Sequence, residues 1–92
     1  AYHALEKALA RHPQGKIDGF TPQQRFFLAY ARVWANQFRP AALRTQVLTN
    51  PHSPSMWRAN GPLSNLAEFR EAWGCKEGDP MVRPEGLRAR IW

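Results

Sequence analysis

Two side chains between Asn50 and Arg58 could do chemistry together. The stretch reads Asn50-Pro51-His52-Ser53-Pro54-Ser55-Met56-Trp57-Arg58. His52 offers an imidazole, which changes charge near pH ~6.5 and serves as hydrogen-bond donor or general acid. Arg58 offers a planar set of donors suited to a carbonyl or carboxylate. Pro51 and Pro54 bracket His52 and restrict the backbone on both sides, so a rigid loop is expected over 50–58. Residue types alone leave a plainer reading open for each. His52 can be a surface-loop histidine and Arg58 a solvated or salt-bridged cation. Val33-Trp34 can be ordinary core or the wall of an apolar pocket. Cys75 can be an inert buried thiol or half of a disulfide to chain outside these residues.

Other chemistries are poorly served. A His-Glu-x-x-His helix needs two histidines four apart, and the histidines here are His3, His12 and His52. With Cys75 they have no metal-ligand spacing, so no complete metal site is expected in this chain. Ser53, Ser55 and Ser64 lie in no Gly-x-Ser-x-Gly elbow, and no glycine-rich phosphate loop is present.

The elements that must position His52 and Arg58 read as about four helices joined by Pro-rich loops, a mainly α fold with an irregular C-terminal tail. Tyr2, Leu5 and Leu9 share a face of a first helix over about residues 1–11, closed by His12-Pro13. No cap residue precedes it, so the helix is expected to be entered in its middle and the chain to be part of a larger domain. After a polar loop over 13–20, Thr21-Pro22-Gln23-Gln24 is a capping box with proline at the first helical position. It predicts a helix over about 22–37 with Phe26, Phe27, Tyr30, Val33 and Trp34 in one arc. Leu28 falls outside that arc, a sign of packing against more protein. Pro40 opens a short helix bearing Ala41, Leu43, Val47 and Leu48. Ala59-Asn60-Gly61-Pro62 predicts a turn. Asn65 and Glu68 predict a second capping box, starting a helix with Leu66, Phe69, Ala72 and Trp73, and Gly74 fits its C-terminal cap.

Composition sets bounds on partners. The 92 residues make one domain at most, and 13 Lys and Arg against 7 Asp and Glu leave a net charge of +6. A small basic helical module that binds nucleic acid or a partner protein is therefore an alternative class. Against nucleic acid, the basic residues are scattered, with only Arg83, Arg88 and Arg90 near a run. No apolar run approaches the ~20 residues of a membrane span.

Over nearly its whole length the chain resembles the C-terminal end of the neprilysin and endothelin-converting-enzyme family of zinc metalloendopeptidases. The residues that carry the likeness are Arg25 to Trp34, Phe38-Arg39-Pro40, Asn50 to Arg58, Asn60 to Asn65 with Glu68-Phe69, Cys75 and Ile91-Trp92. The resemblance implies a fragment of a peptidase catalytic domain that acts on peptides. Its zinc ligands, two histidines and a glutamate, would lie upstream of this chain, and the first helix would follow the segment bearing the third ligand. His52 matches the family histidine that stabilises the tetrahedral intermediate. Arg58 matches the arginine that grips the substrate carbonyl beyond the scissile bond. Val33 and Trp34 match residues lining the apolar pocket for the side chain after that bond. Partners implied are peptide substrates and the remainder of the same peptidase chain, with no nucleic acid. Cys75 matches a cysteine whose partner lies far upstream, which implies an extracytoplasmic location. Asn50 stands where relatives often carry Asp. Ala35 and Ala89 replace cysteines of animal members, and Ser55-Met56-Trp57 is bulkier than the usual turn.

Overall fold

A computed structural model of the chain describes residues 1–89. Five α-helices follow one another: α1 Tyr2–Arg11, α2 Pro22–Val33, α3 Pro40–Thr49, α4 Ser55–Asn65 and α5 Ala67–Trp73. A single 3₁₀ turn, Glu85–Leu87, interrupts the tail. The mainly α reading holds, and the described residues contain no strand.

α2 is the centre. Thr21 and Gln24 form the predicted capping box, with Thr21 N–H donating to Gln24 Oε1 at 3.0 Å and Gln24 N–H to Thr21 Oγ1 at 3.1 Å. The same Gln24 amide donates to Ala72 O at 2.9 Å, so one cap also ties α2 to α5. Phe27 is 2% exposed. Its ring lies 5.2 Å from Tyr2 on α1, 5.3 Å from Phe26 and 5.2 Å from Phe69 on α5, within the range where aromatic pairs attract. Burial, and after it Glu6, raises the Tyr2 phenol above its ordinary pKa. The face predicted for α1 is the one that packs: Tyr2, Leu5 and Leu9 are half-buried and its other residues exposed. In the loop before α2, Ile17 and Phe20 exchange backbone bonds of 3.0 Å around Asp18 and Gly19. Both turn residues have positive φ (51° and 79°), as such a tight turn requires. Arg25 pins the loop from α2 by donating to Phe20 O at 2.7 Å.

Four local expectations are corrected by tertiary contacts. The helix predicted to about residue 37 stops at Val33. Trp34 N–H turns to Ala31 O and Ala35 N–H to Arg32 O, both at 3.1 Å, a tightened last turn from which Asn36 leaves to bond Ser55. The rigid loop over 50–58 is shorter than expected, because α4 begins at Ser55 directly after Pro54. Arg58 therefore sits on a helix. The predicted turn at 59–62 is helical despite Pro62. Ala59 and Leu63, four apart, are buried against α2 and α5, and that burial overrides the local preference of Asn-Gly-Pro. Finally, Asn65 does not cap α5, whose N-cap is Leu66 with no side-chain bond. Its amide takes the tail instead, accepting from Ala89 N–H at 2.7 Å and donating to Ala89 O at 2.6 Å.

Gly74 does terminate α5, in the left-handed region at φ 64°, as expected. The tail then runs back over α4 and α5. Arg83 N–H donates to Ser64 O at 2.9 Å. Glu77 accepts from Arg70 at 2.7 Å and from Arg88, and Arg88 chiefly holds its carboxyl below the usual range.

Packing is sparse for the chain length. Among the described residues only Phe27, Ala59, Leu63 and Val82 are buried. Accessible surface is 7557 Å², against about 5,500 Å² for a folded monomer of this mass. The radius of gyration is 15.6 Å, against about 12 Å for a compact domain of this length. The apolar members of α3, Leu43, Val47 and Leu48, are all exposed, Leu48 at 77%. Leu28 is 44% exposed, as its place outside the apolar arc predicts. It borders a hollow of about 290 Å³ with Phe27, Leu63, Phe69, Trp73 and Met81. Trp73 is half-buried, and Trp92 lies outside the described residues.

Candidate active-site face

Trp34 and Arg58 meet. α2 carries Tyr30 and Trp34 four residues apart, hence on one face. The Arg58 guanidinium carbon lies 4.5 Å from the centroid of the Trp34 ring, a cation–π distance. The Tyr30 hydroxyl donates to the Arg58 carbonyl at 3.2 Å. That carbonyl is free for a reason of sequence. Its helical partner four residues on is Pro62, which has no N–H. α2 therefore holds Arg58 twice, at the main chain and at the head group. A third tie, Asn36 Nδ2 to Ser55 Oγ at 2.6 Å, fixes the start of α4 to the segment after α2. Arg58 is half-buried, yet its guanidinium donors enter no ion pair or hydrogen bond among the described residues. A guanidinium held over a ring with no other partner among the described residues is suited to binding a carbonyl or carboxylate oxygen.

His52 lies in the short loop between α3 and α4 and is exposed. Asn50 Oδ1 accepts from its backbone N–H at 2.9 Å and faces its ring Nδ1 at 3.2 Å. A ring that donates to this oxygen from Nδ1 leaves Nε2 as an acceptor when neutral and as a donor when doubly protonated. No other side chain is bonded to His52 among the described residues. Val33 ends α2 and is 77% exposed, next to Trp34 but uncovered by this chain.

The structure thus joins Trp34 to Arg58, sets His52 on the loop that feeds the helix of Arg58, and leaves Val33 open. The apolar hollow lies elsewhere, between α2, α4 and α5. Tyr30, Asn36 and Ser55 carry roles that residue types alone did not indicate. The usable signals were the four-residue spacing of Tyr30 and Trp34, and Pro62 four residues after Arg58. Among the described residues, no three His, Cys, Asp or Glu side chains gather where a metal could bind. This part of the chain does not fit a zinc site by itself. Cys75 is a half-buried free thiol.

Comparison with known proteins fits this arrangement. The profile described as Peptidase family M13 matches residues 1–88. Neprilysin-2 of Drosophila melanogaster is 36% identical over 84 residues, covering 88% of this chain and 11% of the relative. Neprilysin-21 of Caenorhabditis elegans is 45% identical over 76 residues, covering 83% and 10%. Human endothelin-converting enzyme 1 is 40% identical over 74 residues, covering 80% and 9%. The chain thus spans about a tenth of the length of the curated relatives it matches. A cryo-EM structure of the zinc metalloprotease Zmp1 of Mycobacterium tuberculosis in its open state superposes with a TM-score of 0.88 at 34% identity, over 97% of this chain and 14% of that one. Profile, relatives and fold agree over nearly the whole sequence: the chain belongs to Peptidase family M13.

Proposed function

We propose that residues 1–92 are one side of the active site of a zinc endopeptidase, part of a catalytic domain rather than a complete one. As imidazolium, His52 donates from Nε2 to the oxyanion that forms when a peptide carbonyl becomes tetrahedral. Arg58 binds the substrate's backbone carbonyl beyond the scissile bond through its in-plane donors. Val33 and Trp34 form part of the pocket for the apolar side chain that follows that bond. Zinc belongs to residues outside this chain, and no step assigned here runs through it. The observation that carries the reading is half-buried Arg58, its guanidinium carbon 4.5 Å over the Trp34 ring and its donors unbonded among the described residues.

The remainder of the same peptidase chain is the proposed partner of the exposed apolar surface. Leu48, Val33 and Trp57 contribute to it, with Trp57 60% exposed. Trp73 Nε1 and Gln46 Oε1, buried and without a partner among the described residues, support the same reading, since buried polar atoms ordinarily have partners. In the whole enzyme Cys75 pairs with a distant cysteine, and the catalytic domain is extracytoplasmic.

Kinetics of the full-length enzyme on a fluorogenic peptide test the assignments. His52→Ala is expected to lower kcat about 10²-fold with little change in KM. Arg58→Ala is expected to lower kcat/KM about 10- to 100-fold, mainly through KM. Near-normal kinetics in either variant would remove that residue from the site.

A further inference from the structure

The two contacts that hold Arg58 come from one face of α2, and they act on different parts of the residue. Trp34 lies under the guanidinium carbon at 4.5 Å. It anchors the head group but not where the side chain starts. That start is the Cα of Arg58, in the first turn of α4, where a helix ordinarily frays because few of its backbone groups are paired. Pro62 makes this turn weaker still. It removes the N–H that would bind the Arg58 carbonyl. The Tyr30 hydroxyl supplies the missing donor at 3.2 Å. A donor from a neighbouring helix does what the helix's own N–H would do, and it also ties the turn to α2.

We infer that Tyr30 is a positioning residue for substrate binding: its hydroxyl replaces the hydrogen bond lost at Pro62 and so sets the register of Arg58 over Trp34. The inference rests on the proposed role of Arg58 as the carbonyl-binding group. Tyr30 touches no substrate atom in this scheme. The arrangement has a specific consequence. The hydroxyl is needed because residue 62 lacks an N–H, so restoring that N–H makes the hydroxyl dispensable.

The test uses the full-length zinc-loaded enzyme and a fluorogenic peptide, with Tyr30→Phe made in the parent, Pro62→Ala and Arg58→Ala backgrounds. Tyr30→Phe is expected to raise KM about three- to tenfold, the worth of one hydrogen bond, with kcat nearly unchanged. Pro62→Ala combined with Tyr30→Phe is expected to return KM to within about twofold of the parent. In an Arg58→Ala background, Tyr30→Phe is expected to change kcat/KM less than twofold. A parental KM for Tyr30→Phe, while Arg58→Ala remains impaired, overturns the inference alone. So does an equal loss with and without Arg58 accompanied by a lowered Tm, or no rescue by Pro62→Ala. Near-normal kinetics for Arg58→Ala overturn the role of Arg58 and this inference with it.

Discussion

At the residue scale, Asn50 shows how one amide can decide the chemistry of its neighbour. Its Oδ1 holds both the backbone and the ring of His52, yet it carries no charge. Trp34 is the second residue to examine. Trp34→Leu keeps an apolar wall and removes the π face under Arg58, whereas Trp34→Phe keeps a ring. Loss of a cation–π contact worth about 0.5–2 kcal/mol should raise KM about two- to thirtyfold for Leu, and by less for Phe, measured by steady-state kinetics. His52, Arg58, Val33 and Trp34 were each visible as residue types. That Trp34 lies under Arg58 was not, because stacking depends on how α2 crosses α4.

At the element scale, the starts and stops with complete local signals were legible. Thr21 and Gln24 satisfy each other's backbone donors within one turn, and Gly74 adopts a φ that other residues resist. Nothing distant was needed to form either. α4 and the start of α5 were misread for the opposite reason. Asn60-Gly61-Pro62 favours a turn by itself, and Asn65 favours a cap. Burial of Ala59 and Leu63, the Tyr30 hydroxyl and the two bonds to Ala89 outweigh those preferences. The tail also carries a pH dependence of known sign. Glu77 is held below its ordinary value, first by Arg88 and then by Arg70. A lowered carboxyl contributes stability above the unfolded value of about 4.5 and loses it as pH falls through the folded value. Acidification below about pH 4.5 should therefore speed exchange of the Ala89 and Arg83 amides, after correction for intrinsic rates. In Glu77→Gln the same amides should exchange faster at neutral pH and lose that acid dependence. Parental protection in that variant would show that the ion pairs do not hold the tail.

At the scale of the whole molecule, surface and core are out of proportion. Four buried residues among those described and 7557 Å² of accessible surface leave α3 and the C-terminal end of α2 without cover. A chain of this length buries only about 60–65% of its unfolded surface even when compact, so it has little to spare. The isolated 92-residue chain is expected to keep helical far-ultraviolet dichroism, bind a hydrophobic dye and unfold without a sharp transition. A cooperative melt with no dye binding would mean that the exposed face needs no partner.

What the sequence by itself determined was local: where helices start, where α5 stops, which residues could do chemistry, and the likeness to a peptidase family. Those features rest on bonds and steric limits within a few residues. Only the tertiary structure decided which of the candidates meet. Pro62 reads as a breaker until Tyr30 is seen to supply its missing donor, and Arg58 reads as a surface cation until Trp34 is found beneath it. Both contacts join residues far apart in the chain. They exist because burial of Phe27, Ala59 and Leu63 brings α2 against α4, and burial of that kind has no local signature.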